Sequence, residues 1–457
     1  MQGRHPMDAQ QITQRICGVC PIEHGIASAM AQDAAYGVRP PTNGLLLRNI
    51  VQAANFLASH LTHFYTLSAV DFVDVTAILS YTGNDLGMKE LRDWVKSQIT
   101  SKVYLPAAPF LPRYDTKYLD DKEANLGLLK NYLEALDLRR LCHQMGAIFA
   151  GKMPHMAAII PGGMSQTIDA QNISAAEGLL ATIKGFVLDK YIPDVIAVSG
   201  KFPEYWKTGR GPGNFLAYGV FQEDNERLLF PSGVLIGDTS SALDTSKISE
   251  DVTFSWFADQ PSAHPFKSET IPKPEKPKAY SWVKAPRYDG HPMEVGALAR
   301  LLIGHASNHE PSRSAVASFL QKTDQSPSDL NSVMGRHASR ALESGLMVDA
   351  LGRWLQALRP DKPTSVPFTL PKRGQGVGLT EAARGALGHW LQIENGVVAR
   401  YQCVVPTTWN CSPKDSRGVR GPVETALVGT SIVNEENPIE PVRIVRSFDP
   451  CLACAVH

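Results

Sequence analysis

The sequence has no excess of either charge: 45 Lys and Arg stand against 45 Asp and Glu in 457 residues. Composition therefore gives no basis for a nucleic-acid partner. Nor is there an uninterrupted apolar run of the roughly 20 residues that a membrane-spanning helix needs. Residues 1–14 are polar and do not read as a secretory leader. The chain is expected to be soluble, or to reach a membrane only through a partner. Cysteine is scarce and odd in number, at seven, which argues against a disulfide scaffold. No period of solenoid type is present. What remains is an ordinary globular composition, 43% hydrophobic and 20% charged, long enough for two or three domains or one large helical body.

The few cysteines are placed with a pattern. Cys17 and Cys20 form a C-x2-C pair inside Arg15-Ile16-Cys17-Gly18-Val19-Cys20-Pro21-Ile22-Glu23-His24. Cys451 and Cys454 form a second pair, followed by His457. Gly18 lets the backbone curl between the first two sulfurs. One such pair serves zinc, an iron–sulfur cluster or a redox dithiol equally well. Two pairs bracketing the chain suggest one four-thiolate site closed by the fold. Zinc modules set their knuckles roughly 10 to 50 residues apart, because the ion nucleates a small unit. Here more than four hundred residues intervene. A structural zinc or iron–sulfur protein stays open beside a catalytic soft-metal centre, which the spacing favours. Cys142 and Cys403 read as buried small hydrophobes, and Cys411 lies in a polar, turn-rich stretch.

Apolar periodicity makes most of the chain helical. Residues 26–36 are rich in alanine and stop at Gly37 and Pro40. Residues 43–77 are predicted as the longest helical run. Within it, His60 and His63 are expected as hydrogen-bonded core histidines, with a place beside a metal pocket or a partner's cluster as the alternative. Helices are also predicted over 80–101, 121–151, 172–187, 295–302, 313–322 and 330–358, with a short one over 421–429. Residues 103–115 read as a proline-rich connection, 153–163 as a tight loop, and 191–218 as broken by Gly and Pro. Residues 221–282 read as a mostly β or irregular lobe, with short segments at 227–230, 234–237 and 254–257. Residues 371–380 read as a glycine-rich loop, and not a phosphate-binding one, since the Gly-Lys-Ser/Thr ending is missing. A hairpin is expected over 391–400, turning on Asn395-Gly396, and an extended piece over 443–447. The fold class is therefore mainly α with smaller β or irregular regions, around a long buried helical bundle. One large unit over 1–457 is expected: a half-site and helical core at 1–219, a mixed lobe at 220–290, helices and the glycine-rich loop at 291–400, and the second half-site at 401–457.

The two cysteine signatures, with their surroundings, resemble the large catalytic subunit of nickel–iron hydrogenases. They are Arg15 to Cys20 with His24, and Asp449-Pro450-Cys451-Leu452-Ala453-Cys454-Ala455-Val456-His457. Supporting stretches are His63-Phe64-Tyr65, Asp71-Phe72-Val73-Asp74-Val75, Gly151-Lys152-Met153-Pro154-His155, Arg384-Gly385-Ala386-Leu387 and Val405-Pro406-Thr407-Thr408-Trp409-Asn410. The resemblance runs from about Gly3 to the end and looks closest to the membrane-associated uptake branch. It implies reversible heterolytic cleavage of H2, in the uptake direction, at a buried nickel–iron centre. Cys17, Cys20, Cys451 and Cys454 would bind nickel. Cys20 and Cys454 would bridge to an iron carrying carbon monoxide and two cyanides. Arg384, Asp449 and Cys454 would act in catalysis, with Asp449 pairing Arg384. His24 would hydrogen-bond near the Cys20 thiolate, and Thr407 and Thr408 would lie near the cyanides. His457 would ligate magnesium or a similar ion.

The same resemblance implies partners: a small subunit holding the iron–sulfur clusters, a membrane cytochrome b, and a maturation protease acting on the precursor. Location would be the periplasmic side of the membrane through the small subunit, or the cytoplasm. The chain also departs from the family pattern. Family members carry some fifty residues before the first cysteine pair, including a proton-accepting glutamate and a second glutamate on the magnesium. Three explanations stand: an incomplete start, supply by another chain, or loss of that proton route. The first is favoured, and Glu23 is not expected to substitute. Ser59 stands where the family often has aspartate, and Ala383 where it commonly has proline. Arg384 is therefore expected to be held less firmly.

Overall fold

The computed structural model describes residues 1–102, 110–111, 113–114, 116–223 and 227–456. The polar first segment contains a short helix, α1 (Asp8–Thr13). Helix α2 (Pro21–Tyr36) begins at a first-turn proline and ends on Gly37, whose φ of 69° closes the helix in the left-handed region. Helix α3 (Thr42–Thr62) is buried on nearly every face. An all-round apolar helix has no stable place except inside the bundle. The run predicted over 43–77 thus ends as regular helix at Thr62. It continues as a π-helical turn, His63–Ser68, and two short 3-10 turns.

Four further helices precede the first larger sheet: α4 (Leu86–Ser101), α5 (Lys122–Ala150), α6 (Ala170–Phe186) and α7 (Ile192–Lys201). The side chains of Asp85, Asp121 and Asp169 cap α4, α5 and α6 by accepting from the backbone N–H three residues on. Helix α7 lies where the sequence reads as broken, because Pro193 falls in its first turn, where a missing N–H costs nothing. After the β region come α8 (Ala297–Ala306), α9 (Glu310–Thr323) and α10 (Val333–Ala357). Helices α3, α5, α6 and α10 pack on one another around one apolar core. Short helices α11 (Pro406–Asn410), α12 (Pro422–Leu427), α13 (Ile439–Ser447) and α14 (Leu452–Ala455) lead to the second cysteine pair. Residues 443–447 are thus helical, not extended. Among the described residues no helix is long and apolar enough to cross a membrane.

The β component is smaller, as expected. Two-residue strands β1 (Ile159–Ile160) and β2 (Gly163–Met164) pair in the 153–163 region. Strands β3 (Asn214–Ala217), β4 (Val220–Gln222), β5 (Leu228–Phe230), β6 (Gly233–Ile236), β7 (Thr239–Ser241), β8 (Ile248–Asp251) and β9 (Ala285–Tyr288) form small antiparallel sheets. Residues 254–257 make isolated bridges to Ser281 and Pro272 rather than a strand. Of the expected 103–115 connection, only four residues are described.

A further sheet is an antiparallel meander of β10 (Arg373–Ala382), β11 (Gly385–Glu394) and β12 (Val397–Val404). Its β11–β12 turn is Asn395-Gly396, both at positive φ, as the hairpin reading requires. The glycine-rich loop expected over 371–380 is mostly strand β10. Helix α2 lies against that strand. Ala27, Ala31 and Ala35, four apart, face Gly378, Gly376 and Gly374, two apart. The two rows keep step because four helical residues rise ~6 Å and two strand residues ~6.8 Å. A Cβ on Gly378 or Gly376 would stand 1.9 or 2.0 Å from the Ala27 or Ala31 carbonyl oxygen. The glycines are there to let helix and strand backbones touch.

Candidate metal centre

Both cysteine pairs sit at helix entrances. Cys17 closes a 3-10 turn and Cys20 caps α2, while Cys451 caps α14. Around Gly18 the backbone N–H groups of Val19 and Cys20 both donate to Cys17 Sγ at 3.2 Å. Across the site, Cys17 Sγ lies 3.3 Å from Cys451 Sγ and Cys20 Sγ 3.2 Å from Cys454 Sγ. All four sulfurs lie within 4.8 Å of one another and are buried. They remain free thiols rather than disulfides.

Crowding divides these thiols into two kinds. The hydrogen bond from Cys20 pulls Cys17 down to about 7, and that from Cys17 holds Cys451 far below the usual thiol range. Cys20 and Cys454 are held up, first by their hydrogen bonds with Cys17. Four convergent soft donors, two of them readily ionised, suit a thiophilic metal that displaces the remaining protons.

A buried cation lies close enough to the sulfurs to feel their charge. Arg384 occupies the corner between β10 and β11 and is 6% exposed. Its Nη2 donates to Asp449 Oδ1 at 2.8 Å and its Nη1 to Ser59 Oγ at 3.3 Å. Burial opposes its charge, but Asp449, Cys20, Cys451 and Cys17 outweigh burial and raise its pKa. Ser59 therefore holds Arg384 by a hydrogen bond in place of an ion pair. Asp449 adopts a φ of 56°, a left-handed conformation, just before the second pair.

The match with known proteins is extensive. The family model described as nickel-dependent hydrogenase covers residues 1–457. This chain belongs to the nickel-dependent hydrogenase family. It is 37% identical to the periplasmic NiFeSe hydrogenase large subunit of Desulfomicrobium baculatum, over all of this chain and 87% of that protein. It is 33% identical to the uptake hydrogenase large subunit of Bradyrhizobium diazoefficiens, over all of this chain and 88% of that one. The solved structure of the H2-activated Dm. baculatum NiFeSe hydrogenase superposes with a TM-score of 0.87 at 36% identity, covering all of this chain and 91% of that one. The reduced enzyme from D. vulgaris Hildenborough gives the same values. The chain is thus a catalytic, H2-processing large subunit, and its buried four-cysteine cluster is consistent with a nickel–iron centre.

Other hydrogenase residues singled out in the sequence fall around this cluster. The Thr407 hydroxyl accepts from the Cys451 N–H at 3.0 Å, and Thr408 Oγ1 donates to the Ala455 carbonyl at 3.5 Å. Both threonines thus brace the second pair. His24 Nε2 lies 3.6 Å from Cys454 Sγ, which itself lies 3.2 Å from Cys20 Sγ. The ring leans toward β11, where His389 Nε2 meets its Nδ1 at 3.0 Å. His457 lies outside the described residues. His60 contacts Glu343 at 3.3 Å and His63 the Arg446 carbonyl at 2.6 Å, both in the core. Cys142 is fully buried, whereas Cys403 and Cys411 are partly buried.

Arg300 carries no sequence signal of its own, whereas Gly385 and Glu23 stand inside the quoted signatures without a structural role read for them. Arg300 on α8 donates to Glu343 and Glu381, each at 2.7 Å, with all three side chains fully buried. It also donates to the Ala382 and Ala383 carbonyls at 3.1 Å, which fixes the corner leading into Arg384. Gly385 must stay glycine: its φ is 129°, and a Cβ would stand 2.6 Å from Gly296 N. Glu23 is fully buried, bonded by Asn55 Nδ2 at 2.8 and 3.0 Å. Burial pushes its carboxyl up to about 8, against the pull of Asn55.

Proposed function

We propose that Cys17, Cys20, Cys451 and Cys454 would hold a nickel–iron centre whose chemistry would be heterolytic cleavage of H2, with Cys20 and Cys454 as the shared thiolates and Cys17 and Cys451 as the terminal ones. The observation that carries this reading is the convergence of four sulfurs from both halves of the sequence beside one buried guanidinium. When bound, the centre supplies the Lewis acidity and redox capacity for splitting dihydrogen, with carbon monoxide and two cyanides on the iron. The terminal thiolates take up a proton at sulfur, because thiolates are basic as well as soft. Arg384 polarises the entry face, and Asp449 keeps the guanidinium aimed there with little reorganisation. Thr407 and Thr408 line the cyanide side, and His457 holds magnesium or a similar ion.

Electrons leave a buried centre by short hops. Four of the seven cysteines are committed to the metals, and among the described residues the other three form no second ligand group, Cys403 packing against the first. The clusters therefore belong to an iron–sulfur small subunit, which delivers electrons to a membrane cytochrome b. The large subunits named above include periplasmic and uptake types, which supports a periplasmic location and the uptake direction. Maturation of the precursor calls for a dedicated protease. Infrared spectroscopy of the isolated complex tests the reading. Bands from carbon monoxide and cyanide are expected, with nickel present beside the larger amount of iron that the small subunit's clusters add. Zinc alone, with no such bands, refutes it.

A further inference from the structure

A directed row of hydrogen bonds runs away from Cys454. His24 Nε2 lies 3.6 Å from the Cys454 sulfur, and His24 Nδ1 lies 3.0 Å from His389 Nε2. His389 Nδ1 lies 2.7 Å from the Tyr401 hydroxyl. Both histidines are fully buried. Burial holds the Tyr401 phenol well above its usual range, with Ser28 and Thr13 pulling the other way, and the Thr13 hydroxyl itself donates to the His24 carbonyl at 3.4 Å. The Ser28 oxygen accepts from Gln32 Nε2 at 3.4 Å, and Gln32 Oε1 accepts from the Tyr36 hydroxyl at 3.0 Å. His24, Ser28, Gln32 and Tyr36 are spaced four apart, so they form one row on α2 beside the alanine row that packs on β10.

The chemistry at one end fixes the direction of every bond. This step rests on the reading of Cys454 as a metal ligand, hence a thiolate that only accepts. His24 Nε2 must then carry the hydrogen. A neutral imidazole has one N–H, so His24 Nδ1 accepts and His389 Nε2 donates. By the same logic His389 Nδ1 accepts, and the Tyr401 hydroxyl donates to it. We propose that His389 and Tyr401 are positioning residues, which lock His24 in the tautomer whose Nε2–H points at the Cys454 sulfur. A hydrogen bond to a bridging thiolate draws electron density from the metals, so the row tunes the centre without touching it.

Neutron diffraction from crystals of the assembled, metal-loaded enzyme reads the proposal directly. Deuterons are expected on His24 Nε2, on His389 Nε2, and on the Tyr401 oxygen facing His389. A deuteron on His24 Nδ1 or His389 Nδ1 overturns it. Tyr401→Phe removes the last donor but keeps the ring. In that variant the His389 deuteron should spread over both ring nitrogens, and the iron carbonyl infrared band should shift at unchanged nickel content. An unmoved band with an unmoved deuteron makes Tyr401 a packing residue and overturns the proposal. Four metal–sulfur bonds with the wrong tautomers sink this inference alone. A Cys454 sulfur without a metal bond sinks the reading of the centre as well.

Discussion

Substituting Gly376 by alanine tests whether the contact of α2 with β10 holds the metal centre in place. The new Cβ would stand 2.0 Å from the Ala31 carbonyl oxygen and 2.7 Å from the Ala35 nitrogen. Ordinary contact begins near 3.4 Å, so helix and strand must part by about 1.4 Å. Both obstructing atoms are backbone, so no side chain can swing aside. Overpacking costs about 1–3 kcal/mol where neighbours can adjust, and this site belongs at or above the top of that range. A loss of about 3 kcal/mol is large against a total stability of about 5–15 kcal/mol. The displaced helix carries Cys20 and His24 at its other end, so nickel content should fall as well. Ala31→Gly should not rescue, because the clash is with the carbonyl and not with the methyl group. Gly127→Ala in α5, where nothing lies within 4 Å of the new Cβ, is the control and should gain about 0.5–1 kcal/mol. The assays are the denaturant midpoint and metal analysis of the purified complex. A Gly376→Ala protein with the wild-type midpoint and full nickel would refute the reasoning.

Three further outcomes are expected. Between pH ~4.5 and ~8 Glu23 is protonated in the fold and ionised in the unfolded chain, so stability falls with rising pH by up to about 1.4 kcal/mol per unit. Glu23→Gln should flatten that slope in urea unfolding of the metal-free chain, and an unchanged slope would count against a buried neutral carboxyl. Arg300→Met leaves Glu343 and Glu381 buried without their cation and should cost about 3–5 kcal/mol. Adding Glu343→Gln and Glu381→Gln should recover much of the loss; no recovery in the unfolding midpoint would refute the ion-pair account. Ser59→Asp gives Arg384 Nη1 a second carboxylate and should raise the rate of H2 oxidation, by about tenfold on the scale set by groups that orient metal sites. Identical kinetics and oxygen response would show that the serine already suffices.

The cysteine pairs were legible in the sequence because their spacing is chemically constrained and their surroundings are specific. The long helices were legible because apolar periodicity survives burial. What failed was reading glycine as a mark of loops. Gly374, Gly376 and Gly378 alternate along a strand, where a missing side chain serves an approach from outside that strand. The cue was present, since the small residues 27, 31 and 35 are spaced to match, but the match spans more than three hundred residues of sequence. Arg300, Glu343 and Glu381 were invisible for a similar reason: a buried charge looks like a surface charge until its partners are known. The tie between His24 and His389 was not legible, because the two lie far apart in the sequence.

The two halves of the cysteine cluster differ in how they are anchored, and that sets how metal is lost. Cys20 opens a sixteen-residue helix clamped along its length by β10. Cys451 and Cys454 ride on a four-residue helix whose Leu452 is 66% exposed. Short, solvent-facing segments open at a small fraction of the global unfolding free energy. Metal exchange should therefore proceed by brief detachment of the second pair while the first stays seated. Residence time then reports the local opening of α14, so a mutation that destabilises the distant bundle can spare the metal, and a stable protein can still leak it.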